Sequence, residues 1–168
     1  MKLSTRSRYG VRLMLDLAFH SEKGPVRLGT VAQRQGIGVK YLEQIARSLT
    51  KANLLKSFRG PKGGRQLARA PQDINLAEVV MLLEGGLKLT DCVAQTGTCE
   101  QSGQCVARIL WTEISQAVIE KLQAMSLKDL MDRAQALSGP EECKNSGGKP
   151  SSPEKEACRA VLSMEKVL

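Results

Sequence analysis

Three cysteines within a short span are the side chains of this sequence with the clearest chemistry. Cys92, Cys99 and Cys105 lie in a polar stretch rich in Gly, Gln and Thr, with the spacing Cys-x6-Cys-x5-Cys. Zinc sites favour four ligands and cysteine pairs separated by about two to four residues. The wider spacing here favours thiolates that wrap around a larger group, such as an iron–sulfur cluster. We therefore expect these three cysteines to be metal ligands.

A long amphipathic helix is predicted directly after the third cysteine, from Val106 to Met125. Apolar residues recur there at every fourth position, which places them on one side of a helix. The helix would be roughly 30 Å long at 1.5 Å per residue, and such a helix with a broad apolar face usually needs a second helix to cover it. Val106, Trp111, Ala117 and Met125 widen the stripe. We expect a subunit seam that contains Leu110, Ile114, Val118 and Leu122.

Length and composition allow one domain, or a small domain with an attached helical unit, in a chain of 168 residues. The basic segment 1–10 lacks the apolar run that secretion requires, and Val79–Leu83 is too short to cross a bilayer. A cytoplasmic protein without a membrane partner is therefore expected. Thiols stay reduced in the cytoplasm, which favours ligand or redox roles for the five cysteines over structural disulfides.

The positive charge is concentrated in the first half of the chain. Residues 1–70 contain 15 Lys and Arg against 3 Asp and Glu, whereas residues 71–137 contain 5 against 9. This asymmetry indicates a polyanion-binding module joined to a second unit. Membrane surfaces also attract basic segments, but residues 1–70 contain no cationic amphipathic helix with an aromatic apolar face. Double-stranded DNA is the expected partner.

Two short helices joined by a glycine-containing turn are predicted after a first helix that runs from Ser4-Thr5 to His20. The second helix covers Leu28 to Ala32, Gly36-Ile37-Gly38 is a break, and the third helix runs from Val39 to Leu49. This order is typical of a helix-turn-helix unit, although an ordinary helical hairpin would have the same pattern. The side chains left to face a major groove are Lys40, Tyr41, Glu43, Gln44 and Arg47.

The segment that follows predicts a β-hairpin. Asn53 to Arg59 is the first strand, Gly60 to Gly64 is a glycine-rich turn, and Arg65 to Arg69 is the returning strand. A helix-turn-helix followed by such a hairpin is a winged helix. The predicted fold is therefore mainly α with a small β-hairpin wing: a winged helix-turn-helix domain plus a long dimerisation helix. The wing residues expected to contact DNA are Arg59, Gly60, Pro61 and Lys62.

The chain resembles the IscR-type family of winged-helix iron–sulfur transcription regulators, which includes IscR-, NsrR- and RirA-like members, over roughly residues 1–135. The resemblance lies in Met1 to Thr5, Arg8-Tyr9, Leu15-Asp16, Gln35 to Ile37, Tyr41 to Ile45, Arg59 to Pro61, Gly63-Gly64, the three cysteines and Leu110-Trp111. It implies a homodimer that binds a palindromic operator and holds a cluster on Cys92, Cys99 and Cys105. It also implies that Tyr41, Glu43 and Gln44 lie in the recognition helix and Arg59 in the wing.

Two positions depart from the pattern of this family. Arg108 stands where IscR-like members have a histidine, and Arg8 stands where NsrR-like members have an acidic residue. The customary fourth ligands are thus missing. The favoured cofactor is a 4Fe-4S cluster held by three cysteines, with one iron open to water or a small molecule. A 2Fe-2S cluster with another fourth ligand is the second possibility.

Three segments are predicted: a DNA-binding domain at residues 1–88, the cysteine loop and dimerisation helix at 89–137, and a disordered tail at 138–168. The tail has linker composition and carries Cys143 and Cys158.

The expected function is a DNA-binding transcriptional regulator that acts as a repressor. Its operator affinity is expected to be controlled by an iron–sulfur cluster that senses iron, cluster status, nitric oxide or redox state. A metal-free thiol-redox regulator and an iron–sulfur carrier are the alternatives. An enzyme is not expected, because the single histidine, His20, is far in sequence from the cysteines and no activating constellation is present.

Overall fold

The computed structural model describes residues 3–20, 24–87, 90, 93 and 104–137. Six α-helices and one antiparallel hairpin lie in these ranges, which confirms the predicted fold class. The elements in chain order are α1 (Thr5–His20), α2 (Leu28–Gln35), α3 (Val39–Lys51), β1 (Leu55–Phe58), β2 (Gly64–Leu67), a 3-10 turn (Pro71–Asp73), α4 (Leu76–Glu84), α5 (Val106–Gln123) and α6 (Leu127–Leu137).

The helix boundaries follow local sequence signals. Gly36 ends α2 in the left-handed conformation (φ 64°), which glycine adopts without steric cost. The Asn75 side chain caps α4 by accepting a hydrogen bond from the Glu78 backbone N–H at 2.9 Å. Gly85 ends that helix, again with positive φ (73°). Gly36 lies in the predicted break between the second and third helices.

The wing is a two-stranded hairpin with a third segment attached to its edge. β1 and β2 pair antiparallel from Leu55 opposite Leu67 to Phe58 opposite Gly64. Val26, just before α2, adds two backbone hydrogen bonds of 2.8 Å to Arg65. A Cβ atom at Gly64 would lie 2.5 Å from the Val26 carbonyl oxygen, so glycine is required for this close approach.

The core forms around α1 and α3, whose apolar faces pack on each other and on α4. Its largest fully buried side chains are Leu13, Met14, Leu17, Val31, Leu42, Ile45, Leu49, Leu54, Leu55, Ile74, Val79 and Leu127. No helix among those described is both long and apolar enough to cross a membrane.

Residues after α5 return to this core, a feature that the sequence interpretation did not include. The helix predicted to reach Met125 ends at Gln123, and Leu127 begins a separate helix with a buried side chain. Backbone bonds from Leu76 N–H to Met125 O (2.9 Å) and from Leu127 N–H to Ile74 O (2.8 Å) fix the turn. α6 packs against α1 and the 3-10 turn. The division at residues 88 and 137 stays a prediction, and the tail lies outside the described residues.

Candidate nucleic-acid interface and cysteine site

The exposed face of α3 is polar and mostly basic. Leu42, Ile45, Ala46 and Leu49 are fully buried, so the helix cannot rotate without exposing its apolar side. The opposite face carries the exposed side chains Lys40, Glu43, Gln44, Arg47 and Lys51. Among the described residues the three cations of this face form no ion pair, which leaves them available to phosphates. Lys51 was missed because the predicted helix ended at Leu49, although it continues the spacing of Lys40, Gln44 and Arg47.

Tyr41 has a different position from the other predicted groove residues. Its side chain is half-buried against the core, and its hydroxyl lies 3.1 Å from the Thr5 hydroxyl. Its ring meets the edge of the Tyr9 ring at a centroid distance of 6.0 Å. Tyr41 therefore joins α3 to α1, and it lies on the flank of the basic face.

Arg6 in the first turn of α1 extends the basic face of α3. Its guanidinium donates a hydrogen bond of 2.6 Å to the Ser48 hydroxyl, and the side chain is exposed. Sequence reasoning missed this residue because it lies 42 positions away from Ser48 in the chain, and only the packing of α1 on α3 brings them together.

The wing adjoins the helix-turn-helix unit. The predicted tip residues Arg59, Gly60, Pro61 and Lys62 are all exposed. Arg27, which precedes α2, donates to the Pro61 carbonyl. At the base, Arg65 donates to the Thr50 hydroxyl of α3 at 3.3 Å. The wing is thus attached to both helices of the unit.

A buried carboxylate locks α1 to α2. Asp16 is only 3% exposed, and it accepts hydrogen bonds from Arg34 Nε (2.9 Å) and Gln35 Nε2 (3.0 Å). Arg12 donates in turn to the Gln35 side chain at 3.0 Å. His20 Nδ1 lies 2.7 Å from the Asp16 carbonyl oxygen, at the end of α1. The only histidine of the chain therefore has a capping position.

A second carboxylate joins the end of α4 to the start of α1. Glu84 Oε1 accepts hydrogen bonds from the Ser4 backbone N–H (2.8 Å), the Ser4 hydroxyl (2.9 Å) and the Ser7 hydroxyl. Burial raises the pKa of Glu84, but the bonds from Ser7 and Ser4 together outweigh burial and lower the pKa below its ordinary value. Nothing in the sequence pattern predicted this contact.

Cys105 is the only predicted metal ligand that the structure describes; Cys92 and Cys99 lie outside the described residues, as do Cys143 and Cys158. Cys105 is half-buried, forms no disulfide within the described chain, and directly precedes α5. No group of three or more His, Cys, Asp or Glu that could hold a metal occurs among the described residues. A free thiol at this position fits a cluster ligand, because thiolates are the donors that iron–sulfur clusters take.

The predicted seam on α5 is divided between two environments. Leu110 and Ile114 are exposed, at 51% and 37%, whereas Val118 is half-buried and Leu122 packs against the core of its own chain. Other large apolar side chains of α5 are also exposed, namely Val106, Ile109 and Trp111. The uncovered apolar face therefore lies toward the start of α5, next to Cys105.

Comparison with known proteins identifies relatives over most of the chain. A family model described as Rrf2, iron-dependent transcriptional regulator, matches residues 3–133. Protein rrf2 of Nitratidesulfovibrio vulgaris is 44% identical over 131 residues, which cover 78% of this chain and 87% of that protein.

Two solved structures have the same fold. CymR of B. subtilis, described as its global cysteine regulator, has a TM-score of 0.67 and 34% identity, and the match covers 79% of this chain and 98% of that one. T. potens IscR has a TM-score of 0.66 and 36% identity, with 88% and 94% covered. These relatives are regulators, which confirms that the protein is not an enzyme. The chain belongs to the Rrf2 family of transcriptional regulators, in agreement with the resemblance to IscR-type proteins.

Proposed function

We propose that this regulator is a homodimeric repressor that binds a palindromic operator in double-stranded DNA, and that an iron–sulfur cluster on Cys92, Cys99 and Cys105 controls its operator affinity. One observation carries the DNA-binding part of this proposal: α3 buries Leu42, Ile45, Ala46 and Leu49. Its opposite face presents three cations that form no ion pair with any described residue. A helix held in this way, with a wing beside it, has the geometry of a recognition helix.

The contacts with DNA divide into two kinds. Lys40, Arg47 and Lys51 would neutralise phosphates and set the position of α3 on the duplex. Gln44 and Glu43 lie on the same face and would read base edges in the major groove. On the wing, Arg59 and Lys62 would reach the backbone or the minor groove, with Gly60 and Pro61 shaping the turn between them.

A second copy of the chain is the proposed cover for the exposed apolar face of α5. This face includes Leu110 and Ile114, and Val118 and Leu122 continue the predicted seam toward the core. Exposed apolar patches of this kind usually mark protein interfaces. A two-fold dimer would place two recognition helices about 34 Å apart, in successive major grooves, and would therefore favour a palindromic operator.

The cysteines are the proposed ligands of a 4Fe-4S cluster, with a 2Fe-2S cluster as the second possibility. When bound, such a cluster supplies iron that responds to oxygen, nitric oxide or iron supply. Cys105 would connect it to the start of α5, beside the apolar face. The reduced thiols that this site requires also support the proposal of a cytoplasmic protein without a membrane partner.

Substitution of Cys99 by Ser tests the cluster assignment. The protein is purified without oxygen, its iron and acid-labile sulfide are measured, and operator binding is titrated at one salt concentration. We expect the variant to be a colourless dimer with residual DNA binding, whereas Cys143→Ser, outside the cysteine loop, keeps its iron. Full iron and sulfide content in Cys99→Ser would contradict the ligand assignment.

A metal-free thiol-redox regulator is the second candidate. The similarity to CymR, which is described as a global cysteine regulator, favours it. In this case the anaerobic wild-type protein would contain no iron, and operator affinity would change when the cysteines form disulfides. An iron–sulfur carrier would contain iron but would not select an operator. Iron content and operator selectivity together separate these three functions.

A further inference from the structure

Glu84 has an unusual concentration of donors on one oxygen. The Ser4 backbone N–H, the Ser4 hydroxyl and the Ser7 hydroxyl all donate to Oε1. Ser7 is 1% exposed, and its hydroxyl is also 3.1 Å from the Ser4 carbonyl oxygen. Hydrogen bonds to an ionised acceptor are stronger than those between neutral groups, so the last residue of α4 holds the first turn of α1 firmly.

The same turn of α1 supports the recognition helix. Thr5 and Arg6, between the two serines, contact α3 through the Tyr41 hydroxyl (3.1 Å) and the Ser48 hydroxyl (2.6 Å). A displacement of this turn would therefore change two contacts that orient α3. The residues that Glu84 binds are therefore direct sequence neighbours of the residues that contact α3.

On its C-terminal side, Glu84 is followed in the sequence by the segment that carries the cysteines. Gly85 and Gly86 follow it with φ values of 73° and 106°, and Cys92 is eight positions after Glu84 in the sequence. α5, which begins directly after Cys105, packs against α4. The segment that carries the three cysteines thus starts from α4 and ends at a helix packed on α4.

On the basis of the proposed function, we propose that Glu84 is a positioning residue that couples the cysteine segment to the recognition helix. A change in that segment alters the end of α4, the carboxylate moves relative to Ser4 and Ser7, and the first turn of α1 changes its support of Tyr41 and Ser48. The two ends of this route are the two sites whose coupling a cluster-controlled regulator requires.

Operator affinity with and without the cluster tests this role. The dissociation constant is measured for the full-length protein after anaerobic reconstitution with iron and sulfide, and again after chelation. Couplings between two sites are typically about 5- to 150-fold. We expect Glu84→Ala to reduce the ratio of the two constants at least about fivefold, and Glu84→Gln, which keeps one acceptor oxygen, to have an intermediate ratio. Iron content and the cooperative thermal transition are expected to be retained.

Glu78→Ala is the matched control, because Glu78 lies on the same helix and also binds a partner, Arg69, at 2.6 Å. Its ratio should equal that of the wild type. Amide hydrogen exchange is measured in the chelated protein as a second readout, and faster exchange in the first turn of α1 is expected for Glu84→Ala alone. The double variant Glu84→Ala/Ser7→Ala should lose no more coupling than Glu84→Ala, since both changes remove the same contact.

The coupling role is wrong if Glu84→Ala has the wild-type ratio of dissociation constants. It is also wrong if Glu84→Ala does not fold and Glu84→Gln has the wild-type ratio and the wild-type hydrogen exchange. Either result would leave the proposed function intact. If instead the wild-type protein binds the operator equally with and without cluster, cluster control itself is wrong, and the coupling role is wrong with it. The first outcome is seen only in the variants and the second in the wild type, so the two failures are distinguishable.

Discussion

α3 and α5 are both amphipathic helices, but the chain covers most of the apolar face of α3 and only the C-terminal part of the apolar face of α5. Four apolar side chains of α3 are fully buried (Leu42, Ile45, Ala46 and Leu49), Val39 in its first turn is exposed, and the other exposed groups are polar or charged. In α5 the one buried residue is Ser115, whereas five large apolar side chains are exposed. The exposed face of each helix fits the partner proposed for it: DNA for the basic face of α3, and a second copy of the chain for the apolar face of α5.

The difference has an energetic basis. Burial of apolar surface stabilises by roughly 25 cal/mol per Å², so α3 gains its stability inside the monomer, whereas the exposed apolar side chains of α5 would gain theirs only in the proposed dimer. Substitutions on α3 should therefore affect folding or DNA contacts, and substitutions on the exposed face of α5 should affect assembly.

Leu110→Glu should have the largest effect, because dimerisation would bury two unpaired carboxylates. Leaving a buried charge without a partner costs about 3–5 kcal/mol. We expect a monomer in sedimentation velocity and an operator affinity at least about 100-fold lower. Leu137→Glu is the control, since Leu137 is exposed at the end of α6. A stable Leu110→Glu dimer would contradict the assignment of this face.

Two isoleucine truncations compare the helices directly. Ile45→Ala on α3 should reduce the free energy of unfolding by about 3 kcal/mol, because Ile45 is fully buried. Ile114→Ala on α5 should leave monomer stability nearly unchanged and raise the dimer dissociation constant. Denaturation at several protein concentrations measures both quantities. Equal losses of stability at low concentration would show that α5 is covered within the monomer.

Gly64→Ala should detach the third segment of the wing. The new methyl group would lie within about 2.5–3.0 Å of the Val26 backbone, so Val26 must move and its bonds to Arg65 weaken. Overpacking of this kind costs about 1–3 kcal/mol. Gly29→Ala is the control, because no atom lies within 4 Å of its added Cβ. Thermal unfolding measures the difference, and an unchanged melting temperature in Gly64→Ala would argue against this close approach.

Lys51→Ala tests the newly recognised end of the basic face. Loss of one phosphate contact should reduce the slope of log affinity against log salt by about 1, without a change in sequence preference. Arg59→Ala tests the wing in the same titration and should also weaken binding. Lys128→Ala on α6 is the control, because Lys128 pairs with Asp132 at 2.5 Å outside this face. An unchanged salt slope in Lys51→Ala would place Lys51 away from DNA.

The smallest effect is expected from the pH dependence of Glu84. Its pKa is lowered in the folded protein, so it contributes stability at neutral pH that is lost as the pH falls from its ordinary value of 4.5 through the lowered pKa. The difference in unfolding free energy between wild type and Glu84→Gln should therefore be largest near pH 7 and shrink in this acidic range. A difference independent of pH would indicate that Glu84 contributes through shape alone.

Local patterns were sufficient for much of the fold. The helix-turn-helix and the hairpin were predicted because apolar periodicity and glycine spacing report the backbone within a few residues. The same patterns identified most of the polar face of α3. They also identified the exposed half of the α5 stripe, Leu110 and Ile114, but not the point at which that stripe turns toward the core of its own chain.

The sequence by itself determined which helices are amphipathic, where glycine breaks them, and that cysteines gather before α5. Only the tertiary structure decided which faces are covered. In the tertiary structure Tyr41 lies on the flank of α3, and Arg6 extends the basic face of that helix. α6 packs on the core, and Glu84 binds Ser4 and Ser7. The physical reason is that these contacts link residues far apart in the chain, and their free energy depends on packing in three dimensions, which no local spacing encodes.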